Sequence, residues 1–373
     1  ASEGSTVSIL NDITADGTSA GFLQKQLTVD FNGHVINGAR YSDDSPLVFS
    51  ASGSSETRLQ IMNATFQGFD TENGIVRGTN PLIELTDVSF LNNKGVAINN
   101  EGYNKLIINA ENSDVAFKNN TDYGIKSNSS IYLNANSGKT ITLEDAVKID
   151  NNFDGNLIIN NTLKANKDLN GTVILNKNVD FASSNGMIYL GAKSSYKNGT
   201  LKLGVEPANS NDFRLSVGGE ATLDMLNGNV DNLTMSKFSG ADDAPLHLKL
   251  DYDASTGKMD LILVSDSAVG ASTPSIIVDA INILVDGDAT ETKYLDGLGK
   301  TVIEVSKDTV TAISGDKTYI FNPIANEIGA YTVSKASNIK DSSLLQDFIQ
   351  NQKNSTGIAL SEDITLTDDL GNL

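Results

Sequence analysis

Residues 82–105 read LIELTDVSFLNNKGVAINNEGYNK, and residues 106–130 read LIINAENSDVAFKNNTDYGIKSNSS. Each stretch has an apolar run, a turn, a second run that ends in Phe, an Asn-Asn pair, and then Gly with a β-branched residue. Units of this kind follow one another at spacings of 23, 24 and 25 residues, and they open at Leu59, Leu82, Leu106 and Ile131. A period of about 20–50 residues is typical of solenoids, propellers and other arrays. The repeat therefore indicates stacked copies of one small unit.

The apolar runs before residue 204 are short. They span three to five residues and are rich in β-branched side chains, as in Leu106–Asn109, Thr140–Leu143 and Leu157–Ile159. Such runs between turn residues predict strands, and helical periodicity is almost absent before residue 270. A parallel β-helix accounts best for this pattern, because each coil buries a few apolar residues on its neighbours. We therefore predict an all-β protein with a parallel β-helix over residues 1–270. A β-sandwich is the competitor, which the recurring coil length disfavours.

Asparagine is the unusual residue of the composition. There are 41 Asn in the chain, and 34 of them precede residue 236. Asn tolerates the left-handed backbone conformation and bonds to nearby backbone groups, so it suits tight corners. We expect Asn at coil corners and ladders of Asn side chains between coils, with compositional bias as the simpler alternative. The Asn-Asn pairs at the ends of apolar runs are 92–93, 99–100, 119–120, 151–152 and 160–161.

The pattern changes after about residue 204. Alternating apolar and polar residues on both sides of Asp253–Gly257 predict a terminal hairpin near 246–264. The small, polar residues 265–275 mark a boundary. Beyond them we expect a small β-rich module over 276–350. Its one short helix is predicted in the segment SSLLQDFIQNQ, residues 342–352.

The two ends of the chain resemble each other. Residues 5–16 read STVSILNDITAD, and residues 355–368 read STGIALSEDITLTD. The match is short, and coincidence is the alternative. If it is real, residues 351–373 start a further β-helix-like coil. The chain is then one section of a longer multi-unit protein, or this segment supplies a coil to the next molecule. Open β-helix ends expose unpaired strand edges, and head-to-tail contacts would build a filament.

The composition excludes several classes of partner. The chain has 27 Lys and Arg against 47 Asp and Glu, a formal net charge of −20, which argues against nucleic acid and anionic membranes. Cys is absent, so a disulfide scaffold and any Cys-based metal or redox site are excluded. No apolar run reaches the roughly 18 residues that span a bilayer. We therefore expect no membrane insertion by this segment.

The repeat motifs resemble those of a known family. Phe90-Leu-Asn-Asn followed by Gly95-Val-Ala-Ile resembles the FxxN and GGA-(I/L/V) repeats of autotransporter passenger domains, including the polymorphic outer-membrane proteins. Phe117-Lys-Asn-Asn and Gly124-Ile repeat the theme without the second Gly and the Ala. The similarity covers roughly residues 5–264. The resemblance implies a right-handed β-helix, secretion through an outer membrane, surface display, and adhesive or structural roles.

Candidate catalytic residues are few. His34 and His247 are the only histidines and lie in separate segments, and we interpret them as structural residues of a coil corner and of a hairpin. No GxSxG, HExxH or P-loop motif occurs. The arginines are too few for a lyase cluster with confident one-coil spacing, and they stand at positions 40, 58, 77 and 214. The sequence therefore assigns no catalytic residue.

Acidic residues occur in three Asp-Asp pairs and in one segment with partial metal-ligand spacing. Asp43-Asp44, Asp242-Asp243 and Asp368-Asp369 stand in apparent turns, where solvated carboxylates are the better interpretation. Asp251, Asp253, Ser255 and Gly257 superficially resemble a calcium loop. The Gly is one position late for an EF-hand and the bidentate Glu is missing, so a hairpin turn is preferred. We predict no metal and no cofactor.

These observations favour a non-enzymatic protein of the bacterial outer surface or the extracellular space. We expect an adhesin or a structural subunit that assembles head-to-tail into filaments through its terminal coils. Its partners would be other copies of itself or a ligand on a host or neighbouring cell. The alternative is a carbohydrate-active β-helix enzyme, either a polysaccharide lyase or a glycoside hydrolase, which would need carboxylates or a carboxylate–Lys/Arg set that converge in a groove.

Overall fold

In the computed structural model the described residues form strands and connecting segments only. Its described residues contain no helix, and hence none that is long and apolar enough to cross a membrane. The all-β prediction is confirmed, whereas the helix predicted at 342–352 lies outside the described residues. Those residues are 4–15, 21–23, 26–38, 49–51, 57–79, 81–150, 155–160, 169, 171–177, 179–183, 185–191, 197–204, 213–241, 245–264, 270, 272–287, 308–325, 329–339 and 357–360.

The chain winds into a parallel β-solenoid of about 8 turns, here called coils. Most coils contribute one strand to each of three faces. The strands of the first four coils are β1 Ser5–Ser8, β2 Ile13–Ala15, β3 Gly21–Leu23, β4 Leu27–Asp30, β5 Val35–Gly38, β6 Phe49–Ala51, β7 Arg58–Gln67, β8 Asp70–Thr71, β9 Val76–Gly78, β10 Leu82–Leu91, β11 Lys94–Gly95 and β12 Ile98–Asn100. Those of the next four are β13 Leu106–Ala110, β14 Val115–Lys118, β15 Ile125–Ser127, β16 Ile131–Ala135, β17 Thr140–Leu143, β18 Val147–Ile149, β19 Leu157–Ile159, β20 Thr172–Leu175, β21 Val179–Phe181, β22 Ile188–Leu190 and β23 Lys197–Leu203.

The coils stack in register. The first and second faces belong to one 21-stranded sheet, and the third face is a 7-stranded sheet that runs from β3 to β21. On the first face Leu59 pairs with Ile83, and Leu106 pairs with Ile131. The prediction that Leu82 opens the repeat was therefore wrong by one residue. Because side chains alternate along a strand, Ile83 takes the inward position and is fully buried, whereas Leu82 is only partly buried.

A column of aromatic rings fills the core under the second face. Phe66, Phe90 and Phe117 occupy equivalent positions in three successive coils. Their rings stack at centroid distances of 5.2 Å and 5.2 Å, with interplanar angles of 15° and 22°. Leu143 and Leu175 continue the column in the next two coils. The Phe of the repeat motif is therefore a packing position of the solenoid core.

A ladder of polar side chains lies beside this column. The Asn93 Nδ2 donates to Asn120 Oδ1 at 2.7 Å, and Asn120 Nδ2 donates to Asp145. Backbone N–H groups also donate to the side chain of the next coil, from Phe69 to Asn93 at 3.0 Å and from Asn93 to Asn120 at 3.3 Å. These buried groups are paired, as buried polar groups must be. The predicted ladder of Asn side chains is confirmed here.

The first Asn of each motif has a different task. Asn92 and Asn119 have φ values of 56° and 58°, in the left-handed region, and the Asn119 Nδ2 donates to Asn92 Oδ1 at 3.0 Å. Asn accepts this conformation more readily than other non-glycine residues. In these Asn-Asn pairs the first Asn therefore adopts the corner conformation, and the second bonds to the neighbouring coil. Asn99–Asn100 differs, because it forms the end of β12, and residues 151–152 lie outside the described residues.

The solenoid sheet continues beyond residue 204. Its further strands are β24 Phe213–Val217, β25 Glu220–Asp224, β26 Asn232–Gly240, β27 Leu246–Asp253, β28 Lys258–Met259, β29 Leu261–Val264 and β30 Ile276–Val285. The predicted hairpin near 246–264 forms only at its tip, where Tyr252 pairs with Met259 and Asp253 with Lys258. The remainder of β27 pairs in parallel with β25 and β30. The two halves of the predicted hairpin therefore mostly belong to different faces.

A separate four-stranded sheet follows. It consists of β31 Val310–Ser314, β32 Lys317–Pro323, β33 Tyr331–Ile339 and β34 Gly357–Leu360. The pairs β31–β32 and β32–β33 are antiparallel, whereas β34 pairs with β33 in parallel. Most of its buried apolar residues, among them Tyr319, Phe321 and Val333, belong to the same hydrophobic cluster as the solenoid core. The division of the chain at 270, 276–350 and 351–373 stays a prediction, although β30 places 276–285 in the solenoid sheet.

Candidate functional site

An open groove runs along the outer side of the first face. Its floor is a column of residues that point outward from successive coils and pair in register: Ile158 with Tyr189, Tyr189 with Ser216, and Ser216 with Ser239. Small residues flank this column, namely Gly191, Gly218, Gly240 and Ala241. We call this site the first-face groove.

The groove exists because the outward side chains change size along the column. The preceding coils carry Ile107 and Tyr132 at this position, and Ile158 and Tyr189 continue the large side chains. Ser216 and Ser239 are short, so the floor drops beyond Tyr189. The resulting volume is about 590 Å³, within the range of roughly 300–1,000 Å³ that is typical of small-molecule sites. Ser239 Oγ donates to Ser216 Oγ at 3.2 Å and so aligns two hydroxyls on the floor.

The described lining of the groove is uncharged in a strongly acidic protein. None of the lining residues that the structure describes carries a charge. Other outer surfaces of the solenoid carry ion pairs between neighbouring coils, such as Arg77–Glu101 at 2.8 Å and Lys94–Asp70 at 2.8 Å. The lining offers hydroxyl and amide groups, one aromatic ring and apolar methyl groups. This set can bind a neutral polar ligand, and the described lining contains no carboxylate, imidazole or amine.

The N-terminal end of the described solenoid is incompletely covered. In the described residues β1 pairs only with β4, and β2 only with β5. The inward side chains Ile9 and Ile13 are only partly buried, whereas their counterparts in later coils are buried. Leu10, between these strands, is 74% exposed. This end therefore presents a strand edge beside apolar surface.

The opposite end is closed by aromatic packing. Tyr252 at the last coils contacts Tyr319 and Phe321 of β32, at ring-centroid distances of 5.9 Å and 5.1 Å. The Tyr319 hydroxyl donates to Asp286 and to the Gly287 carbonyl. Burial, and secondly the bond to Asp286, raises the pKa of Tyr319 to about 12, so the hydroxyl stays neutral and remains a donor. The four-stranded sheet therefore caps the solenoid.

The two histidines are part of cross-coil contacts. His34 Nδ1 lies 3.0 Å from Asp12 Oδ1, near an exposed corner. His247 is partly exposed on the second face, with Nδ1 2.7 Å from Asp279 Oδ1 and Nε2 3.7 Å from Glu220 Oε1. The two carboxylates contact opposite ring nitrogens, so they do not converge on one point. This geometry agrees with the structural interpretation of both histidines.

The segment that resembles a calcium loop is engaged in other contacts. Asp251 is buried, and its Oδ2 accepts the N–H groups of Asn227 and Gly228, each at 2.9 Å. Asp253 instead faces the turn and accepts the Ser255 N–H at 2.8 Å. The two carboxylates are thus directed at different partners. Among the described residues, no group of three or more His, Asp or Glu is placed to hold a metal ion.

Asp260 joins Asp251 in a buried acidic corner. Its two oxygens accept the N–H groups of Asp231 and Asp251, each at 2.7 Å. Burial raises the pKa of Asp260 to about 7, although the two N–H donors oppose the increase. Both oxygens serve the backbone of neighbouring coils. This corner is therefore a structural device of the solenoid, comparable to the Asn ladder.

The remaining candidates do not form a cluster. Arg58 pairs with the buried Glu84, and Arg77 with Glu101. Arg214 stacks over Phe181, with its guanidinium carbon 5.4 Å from the ring centroid. Arg40 and the acidic pairs at 43–44, 242–243 and 368–369 lie outside the described residues. The sequence did not single out Tyr189 or Ser216. Both residues stand at outward positions in the alternation of their strands. Only the register between coils shows that they lie side by side on one surface.

Comparisons with protein-family models, with curated proteins and with solved structures gave no match to this chain. The resemblance to autotransporter passenger domains therefore rests on the motifs. Those motifs have a physical explanation in the stacked Phe column and the Asn ladder. Both features serve a solenoid, whatever its family.

Proposed function

We propose that this protein is an extracellular bacterial surface protein, a right-handed β-helix that acts as an adhesin or structural subunit. The supporting observation is the difference between its two ends. Tyr252, Tyr319 and Phe321 are fully buried at the capped end, whereas the first described coil leaves a strand edge and the exposed Leu10. Subunits with one closed and one receptive end join head-to-tail, and such contacts extend into filaments when they do not close.

The segment that fits the receptive end best is the C-terminal repeat of a second copy. Residues 355–368 share the pattern of residues 5–16, so they carry the alternation of a first coil. Within this segment Gly357–Leu360 forms the strand β34, so these four residues adopt the extended conformation that addition to β1 requires. Addition of one strand to an exposed sheet edge uses main-chain hydrogen bonds for affinity and side chains for register.

The carbohydrate-active enzyme is the weaker candidate. Hydrolysis of a glycosidic bond needs two carboxyl groups across the substrate, and the described residues that line the first-face groove include none. The carboxylates around His247 bind opposite sides of its ring. We therefore favour a binding or structural role over catalysis.

The test is deletion of residues 355–373. Light scattering and negative-stain electron microscopy of the full chain should show end-to-end polymers, and the deletion variant should be monomeric. A synthetic peptide of residues 355–368 should shorten polymers of the full chain, while a scrambled peptide should not. Polymers that persist unchanged after the deletion, or a full chain that stays monomeric, would show the terminal-coil proposal to be wrong.

A second variant tests the receptive end without disturbing the cap. Leu10→Lys places a charge on a side chain that is already exposed, so folding should be unaffected and polymerisation reduced. Tyr103 is 85% exposed between two coils in the middle of the solenoid. Tyr103→Lys is thus the matched control, and it should polymerise like the parent chain.

A further inference from the structure

We infer that the first-face groove binds a neutral, linear carbohydrate chain that lies along the solenoid axis. This inference names a ligand class for the adhesive role proposed above and does not depend on self-assembly. It starts from the shape of the groove. The residues that line it come from five successive strand levels of the first face, from Ile158 to Ser272. At about 4.8 Å per strand, the site is roughly 20 Å long and suits an extended, repeating ligand.

The backbone of the groove narrows the choice of ligand. Strands β19, β22 and β24 each pair with a neighbour on both sides. These three strands therefore leave no free edge within the described floor to which a peptide could add its own main-chain hydrogen bonds. Recognition has to use side chains. This disfavours an extended peptide, which draws most of its affinity on a sheet from the main chain.

The charges of the protein narrow the choice of ligand further. Nucleic acids and acidic polysaccharides need cationic partners, and the part of the lining that the structure describes has none. The net charge of −20 repels such polymers from the whole molecule. A cationic ligand would favour the ion-paired surfaces over this uncharged one. A neutral ligand is not repelled by the net charge of the protein, and it has no charged group that must lose its hydration on binding.

The side chains that remain match a sugar. Tyr189 has Ile158 on one side in the column and Ser216 on the other. Ser216 is too short to cover the tyrosine ring. The partly exposed ring offers an aromatic surface to the C–H groups of a pyranose. Ser216 and Ser239 supply hydroxyls, and Gly218 and Gly240 let the ligand approach the backbone closely.

The experiment uses the full-length chain at a dilution at which it is monomeric, so failed self-assembly does not affect the result. Isothermal titration calorimetry measures the binding of 1,4-linked hexasaccharides of glucose and of N-acetylglucosamine. Hexagalacturonate is the charged counterpart, and an uncharged eight-residue peptide is the competing ligand class. We expect at least one neutral hexasaccharide to bind, with neither hexagalacturonate nor the peptide bound.

Variants place the ligand in the groove. Tyr189→Ala should weaken binding by about tenfold or more, and Ser216→Tyr should block the groove while it keeps Tyr189. Tyr103→Ala removes an exposed tyrosine elsewhere and should leave the Kd unchanged. The inference is overturned if no neutral hexasaccharide binds, if hexagalacturonate or the peptide binds as well, or if binding survives both groove variants.

Discussion

Replacement of Phe90 by alanine is expected to lower the free energy of unfolding by about 3–5 kcal/mol, the usual range for a buried Phe→Ala substitution. Phe90 is fully buried and stacks between Phe66 and Phe117 at 5.2 Å on each side. Each coil contributes one ring to the column. Because the neighbouring rings are held by their own coils, they cannot move together to fill the cavity that the substitution leaves. The measurement is urea unfolding followed by far-ultraviolet circular dichroism, since the chain has no Trp.

Phe90→Leu is the matched control for size. Leu143 occupies the same column two coils later, so leucine is compatible with this position. We expect a loss of about 1–2 kcal/mol. A Phe90→Ala cost below about 1 kcal/mol would contradict the stacked column, because it would mean that the ring is not enclosed by its neighbours.

Gly95→Ala is expected to cost about 2–5 kcal/mol for two reasons that add. Gly95 has a φ of +93°, and a Cβ there would lie 2.0 Å from the carbonyl oxygen of Thr71 in the preceding coil. The same oxygen accepts the N–H of Val96 at 3.1 Å, so it cannot move away without loss of an inter-coil bond. The same denaturation experiment measures the effect.

Gly138→Ala separates the two causes. Gly138 has a φ of +74° and open space around a Cβ. Its substitution should cost only the backbone strain of a left-handed residue, about 1–2 kcal/mol. Equal costs at the two positions would show that the close approach of Gly95 to the neighbouring coil is absent.

The strands of the solenoid could be predicted from the sequence because its signals are local. Thr140–Leu143 and Leu157–Ile159 were predicted with the bounds that the structure gives them. Asn-Asn corners were predictable because the left-handed conformation restricts the residue types that accept it. The predicted hairpin near 246–264 was mostly wrong because the signals are local. Alternation marks a strand but does not reveal whether its partner is the next strand or the next coil.

The groove could not be predicted, because it depends on the register between coils of unequal length. Ile158, Tyr189 and Ser216 are separated by 31 and 27 residues, as Tyr189 pairs with both of the others. A repeat with a fixed period would not align them. The closed end was hidden too, since Tyr252 and Phe321 meet only after the four-stranded sheet has packed on the last coils. Sequence patterns indicate which residues face inward, but they do not show which surface the outward residues form together.

Every proposal above depends on parallel coils stacked in one register, and an engineered disulfide measures that register directly. Thr142 pairs with Ile174, and Ile174 with Lys202. Neighbouring strands are about 4.8 Å apart, within the Cα separation that a disulfide bridges, whereas two strand spacings exceed the limit of about 7 Å. In this Cys-free chain, Thr142→Cys with Ile174→Cys should cross-link under mild oxidation, and Thr142→Cys with Lys202→Cys should not. No cross-link in the first pair, or equal cross-linking in both, would contradict the stacked solenoid.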